Sequence, residues 1–182
     1  MTNEHWRYFL ALEQDVERTT RSVEPHASNY GTFSIEFARL ILSACSEADV
    51  VAKVLCHSID SNAPATNMDQ CRVVLQKQFP HIHEAIVEVP RFGLLMEPWK
   101  EWGAGANPGW WKDHQLVKHQ RHKYFAHANL EHCIVSAAGL FLLTLYLCRV
   151  ERIGLERSVF FDMGVREGVG RSRRYPLPDD PM

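Results

Sequence analysis

A chain of 182 residues with 46% hydrophobic and 23% charged positions carries enough apolar material for one sizeable core and sits within the single-domain range. A formal charge of -2 and a pI near 6.5 exclude a protein that holds nucleic acid through overall positive charge, so any attraction for phosphate has to come from a local patch. Five cysteines, an odd number, and an opening MTNEHWRYF without a leader's charged, apolar and small-residue order lead to the expectation of free thiols in a reducing cytoplasm.

In chain order, Trp6, Phe9, Leu10 and Val16 recur at helical spacing among charged residues and predict an amphipathic helix over Glu4 to Arg21. Ser34 is a natural N-cap for a second helix reaching Ser58, because its hydroxyl can accept an N–H left unpaired in the first turn. On that helix Phe37, Leu40, Ile41, Ala44, Ala48, Val51 and Leu55 step by three and four, and Glu47 falls at the edge of the apolar face. A carboxylate there either turns outward or meets a cationic partner. A third helix is predicted from Asn67 to Gln78, ended by Phe79-Pro80.

Between Glu84 and Trp99 the apolar runs are short and broken by Pro90 and Pro98, which predicts two short strands rather than helices. The WGAGANPG loop lacks the spacing and the lysine of a P-loop. Asn107 as cap and Pro108 in the first turn predict a helix over Pro108 to His122, and Asn129 as cap predicts another to Arg152. That last helix contains CIVSAAGLFLLTLYLC, bracketed closely by charges, and is read as a buried central helix rather than a membrane span. The expected organisation is one helical domain over residues 1–153 and a loosely held tail over 154–182, in which VFFDM docks as a strand.

Chemistry concentrates between Trp110 and His132, where two adjacent tryptophans stand with five histidines and four Lys and Arg residues. On a straight helix Trp110, His114, Val117, Lys118 and Arg121 share one side, with Trp111 at its margin. That mixture points either to a basic pocket walled by aromatic rings or to a helix packed through its tryptophans with its charges in water. The histidines at 114, 119, 122, 127 and 132 lack the spacing of a metal-binding helix pair, and no metal or other cofactor is expected. Cysteines on apolar helix faces make poor nucleophiles.

The order of helices and the segment R-H-K-Y-F-A-H, Arg121 to His127, resemble the HEPN superfamily, all-α domains with an R-x(4 to 6)-H motif near the start of a late helix. In that superfamily a polar residue often follows the Arg, a place held here by His122, and many members are metal-independent RNases while others are not catalytic. Over roughly Trp6 to Arg149 the chain also resembles a group of bacterial proteins of unassigned function. These share a P-W-x-x-W element, here Pro98, Trp99 and Trp102, the pair Trp110-Trp111, and a K-H-x-R segment, here Lys118, His119 and Arg121. Their usual Tyr-Asn is His114-Gln115 in this chain, and the place of His127 need not be His in them.

The resemblance implies an all-α helical bundle of HEPN type with a short extended or β-hairpin insertion, and a metal-independent endoribonuclease. His127 would take the proton from a ribose 2′-hydroxyl, Arg121 would brace the phosphorane with help from Lys118, and the products would carry 2′,3′-cyclic phosphate ends. RNA or a nucleotide is the implied partner, with His114, His122, Tyr124, Trp111 and Glu47 as candidate binding residues and Tyr124 or Trp111 as the stacking ring. Domains of this kind commonly pair, which implies a homodimer. The alternative is a non-enzymatic interaction module that holds an anion or a protein partner on the basic aromatic helix face.

Overall fold

The most apolar segment of the chain becomes the axis on which the other elements are laid. The computed structural model describes residues 4–154 and 158–164. Within them helix α5, Leu130–Val150, is capped by Asn129, whose side-chain oxygen accepts the His132 N–H at 2.9 Å. Every residue from Ser136 to Cys148 is buried, and the hydroxyls of Ser136 and Thr144 are satisfied by carbonyls of their own helix. Among the described residues α5 is the one helix long and apolar enough to cross a membrane, and 83% of its apolar window lies inside the fold.

Helix α2, Ile35–Ile59, starts as predicted at Ser34, whose hydroxyl accepts the Phe37 N–H at 3.0 Å. Its predicted apolar face is buried throughout and packs on α5. These two helices run parallel: Phe33 and Asn129 bridge through their backbones at the start, and Ser58 meets Glu151 at the end. Helix α1, Glu4–Thr19, lies antiparallel to α2, pinned by His5 on Glu47 at 2.6 Å and by Arg39 on Asp15 at 2.9 Å. Helix α3, Met68–Gln78, is capped by Asn67 and flanks α2.

The expected extended insertion is a hairpin. Strand β1, Val87–Val89, pairs antiparallel with β2, Leu94–Met96, in the register Val87 to Met96. The turn between them needs Gly93, whose φ of 62° suits a residue without a Cβ. On the other edge of β1 sits β3, Asp162–Met163, so the chain beyond α5 does supply a strand from VFFDM. The fold is therefore predominantly α-helical with a small antiparallel sheet. The rest of the expected tail, 165–182, lies outside the described residues.

Four tryptophans join the hairpin side to the bundle. Trp99 packs on Trp102 at 4.3 Å and edge-on to Trp110 at 4.9 Å, and Trp110 meets Trp111 edge-on at 5.9 Å. The indole N–H of Trp99 donates to the Gly139 carbonyl at 3.1 Å, and that of Trp110 to the Pro98 carbonyl at 2.8 Å. Thus the P-W-x-x-W and WW motifs are packing elements. Gly139 lets α5 approach them, since a Cβ there would stand 2.9 Å from Trp110 Cζ2. Gly139→Ala is expected to lower stability by about 1–2 kcal/mol in a thermal melt, because overpacking a ring that cannot move outweighs alanine's helix preference of about 1 kcal/mol.

Helix α4, Gly109–Tyr124, corrects two sequence expectations. Its N-cap is Pro108, with no side-chain cap bond: the Asn107 NH2 donates to Asp69 at 3.2 Å, and the Asn107 side-chain oxygen, the atom a cap would use, is buried without a partner among the described residues. The helix is also not straight: Gln120 has φ -140° and ψ 42°, so the turn bearing Arg121 is re-aimed relative to the face that begins at Trp110.

Candidate functional site

Trp110, Trp111, His114 and Val117 form the buried side of α4, while Lys118, His119, Arg121, His122 and Lys123 are exposed. The aromatic and basic halves of the predicted face are thereby separated. Trp111 is only 8% exposed, with its ring edge-on to Trp110 and 4.6 Å from His114, so it is closed to base stacking. Glu47 pairs with His5 of α1 and not with the basic helix.

His114 is a core histidine. Its Nδ1 meets the Trp111 carbonyl at 2.5 Å and its Nε2 the Gln115 amide at 3.0 Å. Because a carbonyl only accepts, Nδ1 carries the hydrogen and Nε2 the lone pair. Burial pushes its pKa down, the bond to the Trp111 carbonyl opposes that, and the Lys118 charge adds to the lowering. The folded protein thus binds this proton less readily than the unfolded chain. The neutral ring's stability contribution is full above the ordinary histidine range and shrinks as pH falls through it. Melting temperature is expected to drop between about pH 8 and about pH 5, and His114→Gln, which does not titrate, is expected to flatten that slope.

Beyond the break at Gln120 the chain closes α4 and makes a 3-10 turn, Phe125–His127, before the Asn129 cap. This bend gathers a cluster that spacing did not reveal. Asp113 Oδ2 lies 2.8 Å from His127 Nδ1 and 3.7 Å from His132 Nε2, and His132 Nδ1 donates to the His127 carbonyl at 2.9 Å. The carboxylate is an acceptor, so the neutral form of His127 holds its hydrogen on Nδ1 and keeps the lone pair on Nε2, on a side chain 37% exposed. Tyr124 stands edge-on to the His127 ring at 5.7 Å. Arg121, one turn before Tyr124 on the same side of that last turn, is exposed and has no ion pair or hydrogen bond among the described residues.

The surrounding field is mixed, since Glu36 and Glu131 lie in the first turns of the two helices that begin here and Asp113 lies in the cluster itself. Helices α2 and α5 begin side by side at this end of the bundle, so the positive ends of two parallel dipoles point at the same solvent. The first N–H groups of α5 are already taken: Leu130 donates to the Thr32 carbonyl, Glu131 to the Tyr30 carbonyl and His132 to the Asn129 cap, while in α2 the Ser34 cap holds Phe37. At α5 the dipole therefore adds field rather than backbone contacts. Arg121, His122 and Lys123 also offset the negative end of α4 itself.

Asp113 and His132 were not candidates in the sequence because 14 and 19 residues separate Asp113 from His127 and His132. A carboxylate followed by histidines across a helix end has no fixed spacing to search for. Cysteine chemistry is disfavoured here: all five thiols are free and buried, and burial raises those of Cys45, Cys133 and Cys148, the last to about 12. Among the described residues no group of three or more His, Cys, Asp or Glu side chains is placed to hold a metal ion. No protein-family model, no curated protein and no solved structure matches this chain.

Proposed function

We propose that the basic end of α4 binds the phosphate backbone of RNA and that His127, oriented by Asp113, makes this a metal-independent ribonuclease site of HEPN type. The observation that carries the reading is the 2.8 Å contact between Asp113 Oδ2 and His127 Nδ1 on a side chain that reaches solvent. A carboxylate on one imidazole nitrogen leaves the other as a base of defined tautomer and direction. His127 Nε2 then takes the ribose 2′-hydroxyl proton, the 2′-oxygen bonds to phosphorus, and the bond from phosphorus to the 5′-oxygen breaks. Water protonates the departing 5′-oxygen, His127 returns its proton to solvent, and a 2′,3′-cyclic phosphate remains. Arg121, which has no carboxylate partner among the described residues, supplies planar donors to the phosphorane, and Lys118 and Lys123 add positive charge.

The second reading is an interaction module that holds an anion without cleaving. Its support is the set of cations Lys118, Arg121 and Lys123, exposed and without a partner among the described residues, which suffices for binding alone. The aromatic half of the predicted face is buried and offers such a partner nothing. Incubation with end-labelled RNA in EDTA separates the two. Cleavage that persists in EDTA and is lost in both Arg121→Ala and His127→Ala is the result expected of the ribonuclease; salt-dependent binding without cleavage supports the module.

A further inference from the structure

An exposed phenylalanine overhangs the same bend. Phe33 lies in the loop before α2 and is 49% exposed, and Ile35 two residues later is 74% exposed. The loop is fastened to the site by its backbone: Phe33 bridges Asn129, the Ser34 N–H donates to the Ala128 carbonyl at 3.2 Å, and the Leu130 N–H to Thr32 at 2.9 Å. The Phe33 ring stands edge-to-face on Phe125 at 5.3 Å, two residues before His127. One edge of the ring is therefore held in place while much of its surface stays in water.

An apolar ring kept in solvent is unfavourable by itself. Here it is presented on a loop hydrogen-bonded to the start of α5, against Phe125, which follows Arg121 and Lys123 by four and two residues; neither cation has a partner among the described residues, and two helices begin at this end of the bundle. A flat apolar face next to unpaired positive charge matches the two halves of an unpaired nucleotide, a π-surface and a phosphate. We infer that Phe33 is the stacking platform for a nucleobase adjacent to the phosphate held at the Arg121 end of α4. This inference rests on the RNA-binding reading and adds to it a subsite from a different part of the chain, which requires a base free of its stack.

The test is fluorescence anisotropy of the full chain with a labelled single-stranded RNA, the same strand made abasic, and the corresponding duplex. Phe33→Leu keeps apolar bulk without a ring, and Phe33→Trp restores one. Wild type and Phe33→Trp are expected to bind the base-bearing strand about tenfold more tightly than Phe33→Leu does. The abasic strand is expected to show no difference among the three. Melting curves for the variants establish that each is folded, and the Trp variant keeps the comparison meaningful should Leu loosen the loop. Equal affinity of wild type for the base-bearing and abasic strands overturns the stacking role while leaving phosphate binding intact. No binding to any strand overturns both. A change in sedimentation coefficient on Phe33→Leu, with RNA affinity unchanged, also overturns it and makes the patch a contact between copies of the chain.

Discussion

Asp113→Asn is expected to lower the turnover of RNA cleavage by about 100- to 10,000-fold while leaving KM nearly unchanged. The carboxylate touches no substrate in the proposed mechanism; it acts through His127. An amide at this place can turn its NH2 toward the imidazole, which then holds its hydrogen on Nε2 and presents no lone pair to the 2′-hydroxyl. Binding, which depends on Lys118, Arg121 and Lys123, is left alone. A purely structural role predicts a different pattern, in which kcat, KM and melting temperature move together. Nitrogen NMR of His127 supplies the independent readout: the Nδ1–H tautomer in the wild type, lost in Asp113→Asn. An unchanged tautomer accompanied by unchanged turnover removes Asp113 from the mechanism.

The largest expected loss of stability comes from Glu13, which no functional proposal uses. This residue is 1% exposed in α1 and its carboxylate collects donors from the far end of the chain. These are the Ser158 hydroxyl and the N–H groups of Val159 at 3.3 Å, Phe160 at 2.9 Å and Phe161 at 3.1 Å. Successive backbone N–H groups closing on one anion form a nest, and that is what makes burial of the charge tolerable. The nest also seats Phe161 against Phe9 and Phe141 at 6.1 and 5.9 Å, and leads into β3. Glu13→Ala leaves buried donors without their acceptor and is expected to cost about 3–5 kcal/mol. The melting midpoint is then expected to fall by roughly 10 °C, and hydrogen exchange at Phe160 and Phe161 to accelerate with it. Gln is expected to fall between, since it keeps one acceptor oxygen but turns a donor toward donors. Unchanged exchange at those two amides in Glu13→Ala sinks the clamp.

The amino-acid order by itself determined the helices. Ser34 and Asn129 cap as predicted because an N-cap is a contact between residues three apart, and the apolar face of α2 and most of that of α1 are buried because periodicity is local. The extended insertion was legible for the same reason, since Pro90 and Pro98 punctuate neighbouring residues. What only the tertiary structure decided are matters of direction and distance. The parallel course of α2 and α5, the break at Gln120 that separates the basic turn from the tryptophan face, and the Asp113, His127 and His132 cluster all join residues whose separation carries no period. The Glu13 clamp spans 145 residues to Ser158, and its donors are backbone groups that every residue but proline possesses. A side chain's class is written in the chain, but which backbone N–H or imidazole it meets depends on how the helices pack, and packing is a property of the whole.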